Sequence, residues 1–153
     1  MLGTQLRHLL ELLDGDVMKI YEELGVEDLR PRYVPVVRAL REHGPLSIRD
    51  IATKLRVTHS AASQTVNQMA KDGLAELRPG TDARQRIAHL TPKAEALIPI
   101  MDAEWDATEA AREQFDGELA YPLSTLVAEA IALLERRPFR ERIHYDGPPA
   151  PPS

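Results

Sequence analysis

The sequence predicts a mainly α chain with a small β-hairpin, and three observations carry that expectation. Only 5% of residues are aromatic while Ala, Leu and Glu abound, a composition that favours helices over sheets. Apolar residues recur at helical spacing through most of the chain. The period changes only between Gly73 and Leu90, where two short strand candidates flank Pro79-Gly80-Thr81-Asp82, a turn cluster.

Residues 4–24 read as a helix with one apolar stripe of Leu6, Leu9, Leu10 and Leu13. A second stripe, Val17, Ile20, Tyr21 and Leu24, follows a break at Asp14-Gly15-Asp16, and Gly25 stops the helix. Pro31 suits the first turn of the next helix, whose Tyr33, Val36, Val37 and Leu40 share a face and which closes at His43-Gly44-Pro45. Ser47 can cap a short helix with Asp50 completing a capping box, and Ile48, Ile51, Ala52 and Leu55 line its buried side. Arg56-Val57-Thr58 separate it from a helix running to Asp72 and ended by Gly73, which makes a helix-turn-helix. Residues 74–78 and 85–90 form the hairpin. Thr91-Pro92 then starts a helix through Leu97, Ile98, Met101 and Trp105 to about Phe115, kinked at Pro99. A last helix spans residues 118–137, with Leu123, Leu126, Val127, Ala130, Ile131 and Leu134 as its apolar face. From Arg140 the Pro-rich end is expected to be disordered or extended.

Composition narrows the function classes. A chain of 153 residues allows one domain, or one with a small appended element, and can bury a core without staples. The absence of cysteine excludes a disulfide framework, a thiolate metal site and a nucleophilic or redox-sensing thiol. No apolar run reaches the roughly 18 residues of a membrane span, and MLGTQLRHLLELLDGD lacks an unbroken signal-peptide core. The expectation is a cytoplasmic protein without a membrane partner. The five histidines show no i, i+4 pair, and no nucleotide-loop, zinc or nucleophile-elbow pattern occurs. No catalytic residue, metal or cofactor is therefore assigned. The net charge of −5 hides an asymmetry: Ser47 to Lys93 holds eight Lys/Arg against four acids, while the rest of the chain is acidic. A positive segment in an acidic frame is what a phosphate-binding face looks like.

In the helix after Arg56-Val57-Thr58, Ser60, Ser63, Gln64, Asn67 and Lys71 fall within one arc of roughly 100°. Ala62, Thr65, Val66 and Met69 take the other side. Amides can pair bidentately with adenine, and Ser and Lys can reach phosphates or base edges. The same polarity would also suit an ordinary surface helix. In the hairpin, Arg84 can enter a minor groove or pair with Asp82, and Arg86 lies beside it.

Asp82-Ala83-Arg84, followed after five residues by Leu90-Thr91, resembles the wing-to-helix signature of the MarR family of bacterial transcription regulators. The resemblance to its DNA-binding lobe covers residues 46–98, and the order of helices extends it to about 6–137. Two positions depart from the pattern: Ala83, where the family often has a second basic residue, and Ala94, where it often has Gly. The fold implied is a winged helix-turn-helix with a helical dimerisation region. Residues 1–30 would form an N-terminal dimerisation segment, 31–92 the DNA-binding lobe, 93–137 the C-terminal dimerisation helices and 138–153 a Pro-rich tail. The function implied is a homodimeric, ligand-responsive repressor that binds an inverted-repeat operator in double-stranded DNA through Ser60, Ser63, Gln64, Asn67, Lys71, Arg84 and Arg86. By the same analogy, Tyr33, Arg38 and Trp105 would line a pocket for a small aromatic or anionic effector. The alternative is a winged-helix module that binds protein, which the overall acidity and Ala83 favour.

Overall fold

A computed structural model of the chain describes residues 1–82, 84–144 and 146–147. The elements in chain order are α1 (Leu2–Glu23), a 3-10 turn (Pro31–Tyr33), α2 (Val34–His43), β1 (Leu46–Ser47), α3 (Ile48–Leu55), α4 (His59–Lys71), β2 (Ala75–Pro79), β3 (Arg86–Leu90), α5 (Pro92–Glu118), α6 (Leu123–Arg136) and a 3-10 turn (Phe139–Arg142). The chain forms two compact units, Met1–Thr108 and Glu109–Ser153. No single helix among the described residues is long and apolar enough to cross a membrane.

The first unit is a winged helix-turn-helix. Its core gathers Tyr33, Val36, Val37 and Leu40 of the α2 region, Ile51 of α3, Val66 and Met69 of α4, and Leu74 and Ala88 of the wing. Each large apolar side chain buried this way contributes about 1.5–3 kcal/mol. Ser47 caps α3 by accepting the Asp50 N–H at 3.0 Å, and its own hydroxyl donates to the Asp50 carboxylate at 2.7 Å. Thr58 caps α4 by accepting the Ala61 N–H at 3.1 Å. Between these helices Arg56 takes a left-handed conformation at φ 53°, the conformation that turns the chain sharply.

Four sequence expectations are corrected. First, α1 runs unbroken through Asp14-Gly15-Asp16, because one mid-helix glycine costs only about 1 kcal/mol and Lys19 reaches back to Asp16 at 2.7 Å. The core takes Tyr21 with partly buried Val17 and Met18, whereas Ile20 and Leu24 are exposed. Second, the sheet has three strands in the order β1-β3-β2: Leu46 pairs with Ala88 and Ser47 with Ile87. A two-residue strand has no period to read. Third, α5 continues to Glu118 and α6 begins only at Leu123. In the second unit Asp116 performs the capping, accepting the Ser124 N–H at 3.2 Å and its hydroxyl, so the helix start lies beyond Pro122. Fourth, the segment from Arg140 does not begin extended, since Phe139–Arg142 closes a 3-10 turn behind Pro138. The rest of the predicted Pro-rich tail beyond residue 147 lies outside the described residues, as does Ala83.

The apolar stripes at the two ends of the chain stay uncovered in the single chain. Leu6 and Leu13 of α1 are each 45% exposed, and Leu126, Ile131 and Leu134 of α6 are 47%, 44% and 43% exposed.

Candidate nucleic-acid interface

Packing decides which face of α4 is free. Ala62, Val66 and Met69 are buried, Thr65 is half-buried, and Ser60, Gln64, Asn67 and Lys71 are exposed with Ser63 half-buried at the edge. The structure thus brings together the polar face expected from the sequence. The Asn67 amide donates to the Ser63 hydroxyl at 3.2 Å. Its second N–H and its carbonyl oxygen are left for a bidentate partner.

The wing is held by its backbone. The Gly80 N–H donates to the Gln85 carbonyl at 2.9 Å, and the Gln85 N–H returns to the Asp82 carbonyl at 2.9 Å. A Cβ at Gly80 would stand 2.9 Å from the Gln85 Cβ, so this crossing needs glycine. Asp82 does steady the tip, but by accepting the Arg84 backbone N–H at 3.1 Å and not the side-chain pairing expected from the sequence. The Arg84 side chain and that of Arg86 are exposed.

The positive charge of the lobe survives folding. Arg78 is taken by Glu76 at 2.8 Å, which holds the Glu76 carboxyl below its ordinary pKa, and Lys93 is taken by Asp28. Asp50 is engaged with Ser47, and Asp72 with Tyr33 and Gln68. Among the described residues, Arg49, Lys54, Lys71, Arg84 and Arg86 form no ion pair with this chain's acids. Arg49 and Lys54 of α3 add to the charge of the sequence with no pattern to mark them, because only packing shows that both are exposed.

The effector candidates separate. Tyr33 is fully buried, and its hydroxyl donates to Asp72 at 2.6 Å. Arg38 does stack on Trp105, its guanidinium carbon 4.5 Å from the ring centroid. Arg38 also borders an open groove of about 520 Å³ with Arg41, Glu42, Asp102 and Asp106. Arg41 grips Asp102 with bonds of 3.0 and 2.8 Å, which leaves the guanidinium of Arg38 and the carboxylates of Glu42 and Asp106 as the other charges of the lining. Among the described residues, no group of three or more acids and histidines is placed to hold a metal ion.

Residues 27–85 match the model of the MarR family. Solved structures of similar fold include the M. tuberculosis transcriptional regulator MOSR in complex with DNA, at 17% identity over 94% of this chain and 99% of that one, TM-score 0.67. A mutant MarR from E. coli is 18% identical over 89% and 95% of the two chains, TM-score 0.54. YusO from Bacillus subtilis is 19% identical over 89% and 93%, TM-score 0.51. None of the curated proteins matches the sequence significantly.

Proposed function

Because residues 27–85 match the MarR family model and the fold is a winged helix-turn-helix, we propose that this chain is a sequence-specific DNA-binding transcription regulator that represses as a homodimer. The observation that carries the reading is the two-sided α4. Its apolar side is locked in the core, while Gln64 and Asn67 stand exposed on the other side of a lobe with unpaired cations. Gln64 and Asn67 read base edges in the major groove, and Ser60, Ser63 and Lys71 hold the backbone beside them. Arg84 and Arg86 bring the wing to the neighbouring groove and phosphates.

The uncovered stripes of α1 and α6 support dimerisation through residues 1–30 and 93–137, a two-fold dimer being the usual way to bury such faces. Two-fold symmetry then requires an inverted-repeat operator with half-sites about one helical turn apart. A small-molecule response would use the groove beside Arg38 and Trp105, and its carboxylates suit a cationic or zwitterionic aromatic better than an anion. The test is a mobility shift on the DNA flanking the chain's own gene, repeated at rising salt. A protected inverted repeat with salt-dependent affinity supports the reading. Absence of any shift at low salt overturns it in favour of a protein-binding module.

A further inference from the structure

Where α4 ends, separate parts of the chain converge on one residue. The Asp72 carboxylate accepts the Tyr33 hydroxyl at 2.6 Å and the Gln68 amide at 3.1 Å, with the Arg30 guanidinium 4.0 Å away. The Asp72 backbone carbonyl accepts from the Lys93 ammonium at 2.9 Å, and that ammonium also pairs with Asp28. Beside them the Gly73 carbonyl accepts the Thr91 hydroxyl at 2.6 Å. The segment before α2 and the first turn of α5 are thereby both tied to the helix that carries Gln64 and Asn67.

We propose that Asp72 is a positioning residue for base recognition: by bridging Tyr33 and Lys93 it sets the tilt of α4 in the major groove. The proposal rests on the DNA reading given above. At 1.5 Å per residue, Asn67 lies about 7.5 Å and Gln64 about 12 Å along the axis from Asp72. A tilt of about 10° about that end moves them by roughly 1–2 Å, more than a bidentate hydrogen-bonded pair tolerates. Phosphate contacts from long, flexible Arg and Lys side chains absorb the same displacement. Loosening this anchor therefore costs discrimination between sequences and leaves general DNA affinity in place. Stability is a separate matter. The Lys93–Asp28 pair is about half exposed on both sides, a setting in which ion pairs contribute little to folding.

The experiment uses the full chain and two duplexes of roughly 30 base pairs, long enough for two half-sites. One is selected by the wild-type chain from a random library, and the other is a scramble of the same composition. Tyr33→Phe and Lys93→Met should each lower affinity for the selected duplex about five- to tenfold, the scale of one ordinary hydrogen bond. Affinity for the scramble should hold. Asp72→Ala should act in the same way, and Asp72→Asn, which keeps an acceptor for the Tyr33 hydroxyl, should restore most of the loss. If Tyr33→Phe fails to fold, the exposed Lys93→Met carries the same reading. An unchanged ratio of the two affinities in folded Tyr33→Phe or Lys93→Met overturns the positioning role alone. A wild-type chain that enriches no sequence overturns the DNA reading, and the positioning role with it.

Discussion

The Tyr21 hydroxyl donates to the Glu104 carboxylate at 2.8 Å, joining α1 to α5 in a contact with no exposed tyrosine surface. Glu104 also accepts the Thr108 hydroxyl, so among the described residues this buried carboxylate is met by two neutral donors. Burial first, and Glu104 second, push the Tyr21 phenol well above its ordinary value of 10.0.

A raised phenol stabilises the fold while it stays protonated. That contribution is whole below the unfolded pKa of about 10 and fades as pH rises toward the folded one. Urea unfolding should therefore show stability falling as pH rises above about 10, and Tyr21→Phe should flatten this slope. At neutral pH the same variant should lose about 1.5–3 kcal/mol, the worth of a hydrogen bond to a charged group. An alkaline slope identical in the variant would contradict this account.

At acid pH the sign reverses. Asp116 is held below its ordinary value of 3.8, first by the Ser124 hydroxyl and then by backbone N–H groups of Ser124 and Leu123. Its contribution is present at neutral pH and lost as pH falls through the lowered value. Ser124→Ala should lower the neutral-pH melting midpoint by a few degrees and weaken its dependence on acid. Melting curves of the two proteins that stay parallel down the acid range would refute the capping role.

Recognition helix and wing should divide their labour. Asn67→Ala should cost about 1–3 kcal/mol on the operator and little on non-specific DNA. Arg84→Ala should weaken both and flatten the salt dependence by roughly one phosphate's worth. Titrations by fluorescence anisotropy at several salt concentrations decide the point, and a full salt slope in Arg84→Ala counts against the docking described.

Ile131 is 44% exposed in the single chain, so much of its side chain is open to a second copy. Ile131→Glu should leave helical content unchanged and shift the sedimentation coefficient from dimer to monomer. A wild-type chain that sediments as a monomer at micromolar concentration would remove the basis for an inverted-repeat operator.

Gly80→Ala tests the wing by itself. The added methyl would sit 2.9 Å from the Gln85 Cβ, forcing the strands apart at the base of the tip that presents Arg84. DNA affinity should fall with a small change in melting, and wild-type binding in this variant would show that the tip need not be held tightly.

The amino-acid order alone determined what depends on near neighbours. Ser47 and Thr91 mark helix starts because each hydroxyl meets an N–H three residues on, and the free face of α4 follows from apolar spacing within one helix. The excess of Lys and Arg between Ser47 and Lys93 is likewise a property of the chain before it folds. Tertiary structure decided everything that joins distant positions. Tyr33 reads as a pocket aromatic until Asp72, 39 residues away, takes its hydroxyl. Arg38 stands alone in the sequence, and only the fold brings Trp105, 67 residues away, under its guanidinium. β1 exists only because β3 offers Leu46 and Ser47 a ladder. Local hydrogen bonds and periodicity are written within a few residues, whereas a side chain's partner across the fold is set by packing, and packing is a property of the whole lobe.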